Sequence, residues 1–362
     1  MRLQRVVAEV QLAAIRKNLE LLVRTAGAKH VQGAAAMVKC NAYGHGLLEV
    51  ARELERARQT LALGVASLEE GAALRAGGVR KPIWVFSGAA PYDDVTQDAV
   101  KRFGLTPVVH NLADLKRLLA VRRRPDFHLK FNTGMNRLGL EMADIGLVRG
   151  MLERARARPQ GICTHFASAE EGQAPITRDQ ISRFREVAAE FSAFSISHIH
   201  CSNTAASMGA GTLQLDELCN VIRPGLGLYG YGGTGLKPAL KLRARVLWTR
   251  ALRSGEVVGY GGTYRTSSHL EQSVLALGYG DGFLRRLSNC RLIVGGKRVE
   301  VLGRVSMDLM SLGMKAKPGS WVTLLGDDQE QGTHMAEAAG TIIYEILTSI
   351  SARVPRVHRR AR

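Results

Sequence analysis

Lys39 closes an apolar run, GAAAMVK (33–39), and opens a glycine-bearing loop. A lysine so placed is able to do more than solvate a surface. Beside other cations or away from water its amine gives up its proton more easily and becomes a nucleophile for aldehydes. Polar residues at or just after an apolar run recur along the first two thirds of the chain: Lys130 followed by Arg137, then His165, then Asn203-Thr204, then Arg223 with Gly225. The Thr204 hydroxyl and the backbone N–H groups around Gly225 and Leu226 make a donor-rich pocket suited to an anion. Taken singly, each has a plainer reading, a solvated lysine or a satisfied core histidine. Five suitable positions brought to one rim would make those readings poor.

The elements that must bring them together alternate in kind. Eight short apolar runs read as strands: 33–39, 61–66, 82–88, 106–110, 127–132, 161–167, 197–202 and 220–225. Amphipathic helices lie between them, as in a parallel sheet with crossover helices. Several helix ends are marked. Ser67 with Glu70 resembles a capping box, Gly77-Gly78 stops that helix, Asn111 caps the next-but-one, and Pro159 follows another. Eight strand–helix units predict an α/β fold of the TIM-barrel type, (β/α)8, whose active sites lie at the C-terminal strand ends and whose habitual phosphate site is formed by the loops after strands seven and eight. Thr204 and Gly225 fall in those two loops. The first strand is not followed by G-x-G-x-x-G, which argues against a Rossmann fold, and the missing Walker motif argues against a nucleotide. A cofactor phosphate is the natural occupant. Lysine, phosphate pocket and barrel together suggest pyridoxal phosphate on physical grounds, though not uniquely.

Near Tyr231 the texture changes. GYGGTGLKP is a glycine-rich joint, beyond which the chain reads as mostly β, with Gly295-Gly296 as a hairpin turn, then one helix over HMAEAAGTIIYEILTSI and a basic tail. The expected organisation is a barrel over residues 1–235, its first strand free to associate with the C-terminal part, and a β-rich domain over 236–362.

Bulk composition narrows the classes. No stretch approaches the ~18 consecutive apolar residues of a membrane span. The N-terminus has neither an uninterrupted apolar core nor a small-residue cleavage site, so it does not read as a signal peptide. The five cysteines form no C-x-x-C pair and no close metal spacing, which suits a reducing compartment better than a disulfide framework, and no metal site is expected. The cytoplasm is the default. The net charge of +18 could serve nucleic acid, but the basic residues are dispersed except at Arg122–Arg124 and in the terminal RVHRRAR. A basic surface that attracts an anionic cofactor and substrate is the favoured reading, with neither nucleic acid nor membrane as a partner.

The motifs carry a resemblance. AMVKCNAYGHG (36–46) closely resembles the cofactor-attachment segment of alanine racemases, which are fold-type III pyridoxal-phosphate enzymes. The resemblance continues through HLKFNTGMNRLG (128–139), THFASAE (164–170), HCSNTAAS (200–207), NVIRPGLGLYG (220–230), VVGYGGTY (257–264), GYGDGF (278–283), GRVSMDLM (303–310), TIIYEIL (341–347) and SARVPR (351–356). Their order and spacing together are highly specific.

Carried over residue by residue, the resemblance implies an isomerase that interconverts L- and D-alanine for peptidoglycan, with pyridoxal 5'-phosphate as cofactor. Lys39 would bear the cofactor. Tyr43, Asn203, Thr204, Gly225, Leu226 and Tyr344 would hold it, chiefly at its phosphate. Arg223 would face the pyridine nitrogen, with His165 beside the ring. Arg137 would sit by the phenolic oxygen and the substrate carboxylate, oriented by Lys130, a lysine often carbamylated in the family. The resemblance also implies two bases on opposite faces of the cofactor, Lys39 and Tyr260, the latter delivered from the other subunit of a homodimer together with Met307 and Asp308. Tyr279 would narrow the entrance with Tyr344.

Four positions depart from the usual pattern: Asn132, Thr204, Ser306 and Glu170 stand where aspartate, serine, cysteine and aspartate are common. Thr204 keeps its hydroxyl, whereas Asn132 puts carbamylation of Lys130 in question. The alternatives are a broader amino-acid racemase, a pyridoxal-phosphate decarboxylase (disfavoured by Arg223 at the pyridine position) and a non-enzymatic pyridoxal-phosphate-binding protein, which would resemble the barrel alone.

Overall fold

The computed structural model describes residues 4–27, 30–172, 174–209, 213, 215 and 218–360. Its barrel is built on eight parallel strands: β2 (Gly33–Met37), β3 (Thr60–Val65), β4 (Ile83–Val85), β5 (Thr106–Val109), β6 (His128–Asn132), β8 (Gly161–Cys163), β9 (His198–His200) and β10 (Val221–Ile222). The two-residue strand β7 (Leu140–Glu141) pairs on the side of β6. Seven lie within the expected runs, and β3 begins one residue before its run of 61–66. The ring runs in chain order from β2 to β9, and β10 returns to pair with β2. Between β9 and β10 the seam is bridged by Asn220 N–H donating to Ile199 O (3.0 Å) and Arg223 N–H donating to Ser202 O (2.7 Å). The strands are near-continuously buried, as expected of a sheet covered by helices on its outer face.

The second unit is a six-stranded sheet. The long strand β11 (Leu240–Leu252) lies at its centre and alternates buried and half-buried residues over its first half, as a one-sided sheet requires. The strand β1 (Val6–Gln11), at the other end of the chain, pairs antiparallel with β11 and parallel with the terminal strand Arg356–Arg359. The stretch read as a basic tail is therefore a strand: its backbone completes a ladder with β1. The expected hairpin at Gly295-Gly296 joins Arg291–Val294 to Lys297–Glu300. The single helix expected over 334–350 is two helices, Gln329–Ala338 and Ile343–Ser349, separated at Gly340, whose φ of +61° cannot continue a right-handed helix.

Two further readings are corrected. Cys201 and Cys219 form a disulfide across 6.5 Å between their Cα atoms. Cys201 directly follows β9 and Cys219 shortly precedes β10, so barrel closure rather than sequence spacing brings them together. Ser67 does cap its helix (Leu68–Ala76) by accepting Glu70 N–H. The reciprocal arm of a capping box is absent, because the Glu70 carboxylate accepts from Ala66 N–H (2.9 Å) and Cys40 N–H (2.6 Å) instead.

Candidate active site

The chain turns sharply where Lys39 leaves β2. Cys40, Asn41, Ala42 and Tyr43 all have φ between 52° and 55°, a turn of left-handed helix. Such a conformation costs an L-residue about 1–2 kcal/mol. Local and distant partners hold it. Ala42 N–H donates to Val38 O and Gly44 N–H to Cys40 O, while Asn41 Oδ1 accepts from Leu47 N–H. From 30 residues away Glu70 fixes Cys40, and from the C-terminal end Arg356 Nε donates to Gly44 O (3.0 Å). The turn aims Lys39 and Tyr43 into one cavity of about 630 Å³ at the C-terminal end of the barrel, within the usual size for a small-molecule site.

That cavity gathers Lys39, Tyr43, Lys130, Arg137, His165, Asn203, Thr204, Arg223, Gly225, Leu226 and Tyr344. One side is a cradle of hydrogen-bond donors. Thr204 Oγ1 accepts from the N–H groups of Gly225 (3.2 Å) and Gly227 (3.0 Å), which leaves its own proton free to donate outward. The Leu226 N–H between them has no partner among the described residues. Tyr43 reaches the same spot. A Cβ built on Gly225 would lie 2.2 Å from its hydroxyl oxygen, so only glycine admits the phenol there. The Tyr43 ring is stacked on Tyr229 at 4.8 Å, and burial pushes its hydroxyl well above the ordinary tyrosine range, so it stays a donor. Asn203 lines the cradle too, but its side-chain carbonyl caps the short helix Thr204–Met208.

In the same cavity Arg223 is buried and tied down. Its Nη1 donates to His200 Nδ1 (2.9 Å) and to His200 O; its Nη2 donates to Thr164 O (2.7 Å), His165 Nδ1 (3.2 Å) and Cys201 O (3.3 Å). Nε alone has no partner among the described residues. His165, stripped of water and beside Arg223, is held well below the usual imidazole range and is neutral. Its Nδ1 is the acceptor, since a guanidinium can only donate.

Lys130 is buried with no hydrogen bond or ion pair among the described residues. Burial lowers its amine pKa, and the Arg137, Arg223 and Lys39 charges lower it further. Arg137, exposed at the mouth, likewise makes no hydrogen bond among the described residues and is free to grip a carboxylate. Asn132 turns away from Lys130: its amide donates to Asn136 Oδ1 (2.9 Å) and Glu141, and its carbonyl accepts from the Gly134 and Asn136 N–H groups. An asparagine there supplies no negative charge to the lysine, whose charged neighbours are cations.

Four candidates are elsewhere. Tyr260 (71 % exposed), Met307 (53 %) and Tyr279 (42 %) stand on the surface of the β-rich unit, outside the cavity of their own chain. Asp308 is ion-paired to Arg353, which also reaches Asp281 at 3.3 Å. Sequence reasoning missed Glu70, Tyr229 and His200, which support the site without entering it. Glu70 was visible as a capping residue, but its true partner, Cys40 N–H, is supplied only by the fold.

A (β/α)8 barrel whose C-terminal rim gathers an amine, a guanidinium and unpaired N–H and O–H donors in one cavity, followed by a β-rich unit, defines the class of two-unit barrel proteins with a small-molecule site. Comparison with known proteins makes this particular. Residues 10–232 match the model of the alanine racemase N-terminal domain, and residues 239–358 that of the C-terminal domain. The chain is 36% identical to alanine racemase of Carboxydothermus hydrogenoformans, over 97% of this chain and 98% of that protein. It is 34% identical to alanine racemase 1 of Bacillus subtilis, over 97% and 92%. Among solved structures, alanine racemase from D-cycloserine-producing Streptomyces lavendulae superposes with a TM-score of 0.87 at 30% identity, covering 100% of this chain and 99% of that one. The chain belongs to the alanine racemase family and is an isomerase.

Proposed function

We propose that the chain racemises alanine with pyridoxal 5'-phosphate as cofactor, using two bases contributed by two copies of the chain. The single observation that carries the reading is the division of the site: Lys39 shares one cavity with the Thr204, Gly225 and Leu226 donors, while Tyr260 is exposed outside that cavity. The residues present fit the cofactor. Thr204 Oγ–H, Leu226 N–H and Tyr43 Oη–H would hold its phosphate, Lys39 its aldehyde carbon and Arg223 its ring nitrogen, with His165 and Tyr344 beside it. When bound, it supplies an electron-withdrawing π-system that acidifies the amino-acid Cα–H.

The chain's own groups do the rest. Lys39 Nζ removes or returns the Cα proton on one face. The phenol of Tyr260 from a second copy acts on the other, as inversion requires two acid–base groups on opposite sides. Arg223 would donate toward the ring nitrogen but could not protonate it, and the ring would then be a moderate electron sink. Arg137 grips the substrate carboxylate. Lys130, a buried amine without an anionic partner, is suited to carbamylation, which would replace an uncompensated cation by an anion able to orient Arg137. Met307 and Asp308 of the second copy close the pocket over a small side chain, and Tyr279 narrows its mouth. The product role is D-alanine supply for peptidoglycan, in the cytoplasm. No helix among the described residues is long and apolar enough to cross a membrane.

Co-expression of Lys39→Ala with Tyr260→Phe tests the division. Each variant alone should lose racemase activity, and the mixed dimer should regain one intact site. No recovery, with the dimers shown to mix, overturns the shared site. Borohydride treatment followed by peptide mapping should place the reduced cofactor on Lys39; a label elsewhere overturns the cofactor assignment. Turnover of lysine or arginine at rates comparable to alanine would replace the alanine assignment by a broader racemase.

A further inference from the structure

The interior of a TIM barrel is ordinarily filled by layers of Val, Ile and Leu. Here a polar and aromatic cluster takes their place: Trp84 of β4, His128 of β6 and His198 and His200 of β9. Trp84 packs against the three imidazoles at centroid distances of 4.2, 5.2 and 4.9 Å for His128, His198 and His200. Burying imidazoles in a barrel core is costly unless their nitrogens are paired, and two of the three are paired in series. His200 Nδ1 receives Arg223 Nη1–H at 2.9 Å, and His128 Nδ1 stands 2.7 Å from His200 Nε2. His128 Nε2 stands 3.3 Å from Gln160 Oε1, whose amide nitrogen donates to Asp126 Oδ2 at 3.0 Å. The series begins at the rim that holds the candidate site and ends on an exposed carboxylate in the loop that enters β6, at the barrel's other end.

Arg223 dictates the sense of every link. A guanidinium has no acceptor, so His200 Nδ1 is bare and its proton is on Nε2. That proton occupies the 2.7 Å contact, so His128 Nδ1 is bare and its proton is on Nε2, directed at Gln160. Asp126, an acceptor, in turn fixes which way the Gln160 amide faces. Burial keeps both imidazoles neutral, His128 being held down to about 3 and His200 well below the usual range. The donors all point away from the site.

We propose that His200 and His128 are positioning residues for Arg223, forming with Gln160 and Asp126 a one-way hydrogen-bond chain along the barrel axis. The chain fixes the guanidinium plane so that Nε, its one nitrogen without a partner among the described residues, is the donor presented to the cavity. Because the donors run outward, the chain can hold Arg223 but cannot carry a proton from the barrel base to the cofactor ring. This rests on the reading that Arg223 faces the ring nitrogen.

Two measurements test it, and the first needs no cofactor. In cofactor-free protein labelled with ¹⁵N-histidine, His128 and His200, assigned through their Asn variants, should both be neutral with the proton on Nε2. They should stay so where a free imidazole titrates. An Nδ1-protonated or titrating His200 or His128 overturns the chain. The second measurement is the absorption band and affinity of bound pyridoxal phosphate. His128→Leu, which removes the acceptor for His200, should shift the band and weaken binding several-fold. His128→Asn, whose carbonyl replaces Nδ1, should restore both. A spectrum that responds to Arg223→Gln but not to His128→Leu overturns the positioning role alone. A spectrum indifferent to Arg223→Gln overturns the placement of the ring nitrogen, and the proposal with it. If His128→Leu fails to fold, the tautomers of the unaltered protein still decide.

Discussion

Thr204 is where a single atom organises the cradle, so Thr204→Val is the most informative change. Valine matches threonine in shape and leaves no cavity; what is lost is the oxygen that accepts from both Gly225 and Gly227 N–H. These groups are buried, and a buried donor left without a partner costs about 1–3 kcal/mol. Two of them predict a destabilisation of roughly 2–6 kcal/mol in the cofactor-free protein. The cradle also loses the hydroxyl proton that would meet the phosphate. A hydrogen bond to a charged group is worth about 1.5–3 kcal/mol, so cofactor affinity should fall roughly 10- to 150-fold. Thr204→Ser is the control. It keeps the oxygen and loses only a methyl lodged against Gly227 and Gly232, a deletion comparable to Ile→Val at about 1 kcal/mol. Denaturant unfolding of the cofactor-free forms and spectroscopic titration with pyridoxal phosphate measure the two effects. A valine variant that matches the serine variant in both would refute the argument, because the oxygen would then be doing neither job.

Tyr260→Phe should lower kcat/KM for both directions by the same factor, as an equilibrium constant of one requires, yet leave solvent-deuterium exchange at Cα without inversion for one enantiomer only; equal exchange of both enantiomers would count against opposed bases. Stability should fall as pH drops below the ordinary imidazole range. His45 is fully buried and held down to about 4, and His128 to about 3, while in the unfolded chain both titrate near 6.5. The unfolded state therefore binds more protons between about 6.5 and 4, and each group contributes on the order of 3 kcal/mol that is present above this window and lost through it. Urea unfolding across pH 4–7 should show the decline, and His45→Asn, which keeps a donor for Tyr43 O, should flatten it; identical slopes would remove His45 from the account. Thiol titration of the unfolded, unreduced protein should find Cys40, Cys163 and Cys290 free and Cys201 and Cys219 only after reduction; five thiols without reductant would dissolve the disulfide.

The sequence by itself determined the barrel's elements and the residue types at their ends. Eight apolar runs separated by capped helices leave little choice but a barrel, and the end of each barrel strand then becomes a known address, which is why Lys39, Thr204 and Gly225 were legible before any coordinates. Local signals have local causes: Asn111 and Ser67 cap because the next turn's N–H groups lie within their own reach. Tertiary structure decided everything that depends on separation along the chain. Glu70 spans 30 residues to steady the turn after Lys39, and Arg356 spans 312 to hold Gly44. The disulfide, the strand formed by the basic tail and the histidine series beneath Arg223 exist only once the barrel closes and the two chain ends meet in one sheet. The left-handed turn itself was hidden for the same reason: four L-residues adopt it against their own preference, and the groups that compensate them come largely from elsewhere in the fold. Tyr260 marks the far limit: its ring is exposed, and the role proposed for it requires a second copy of the chain.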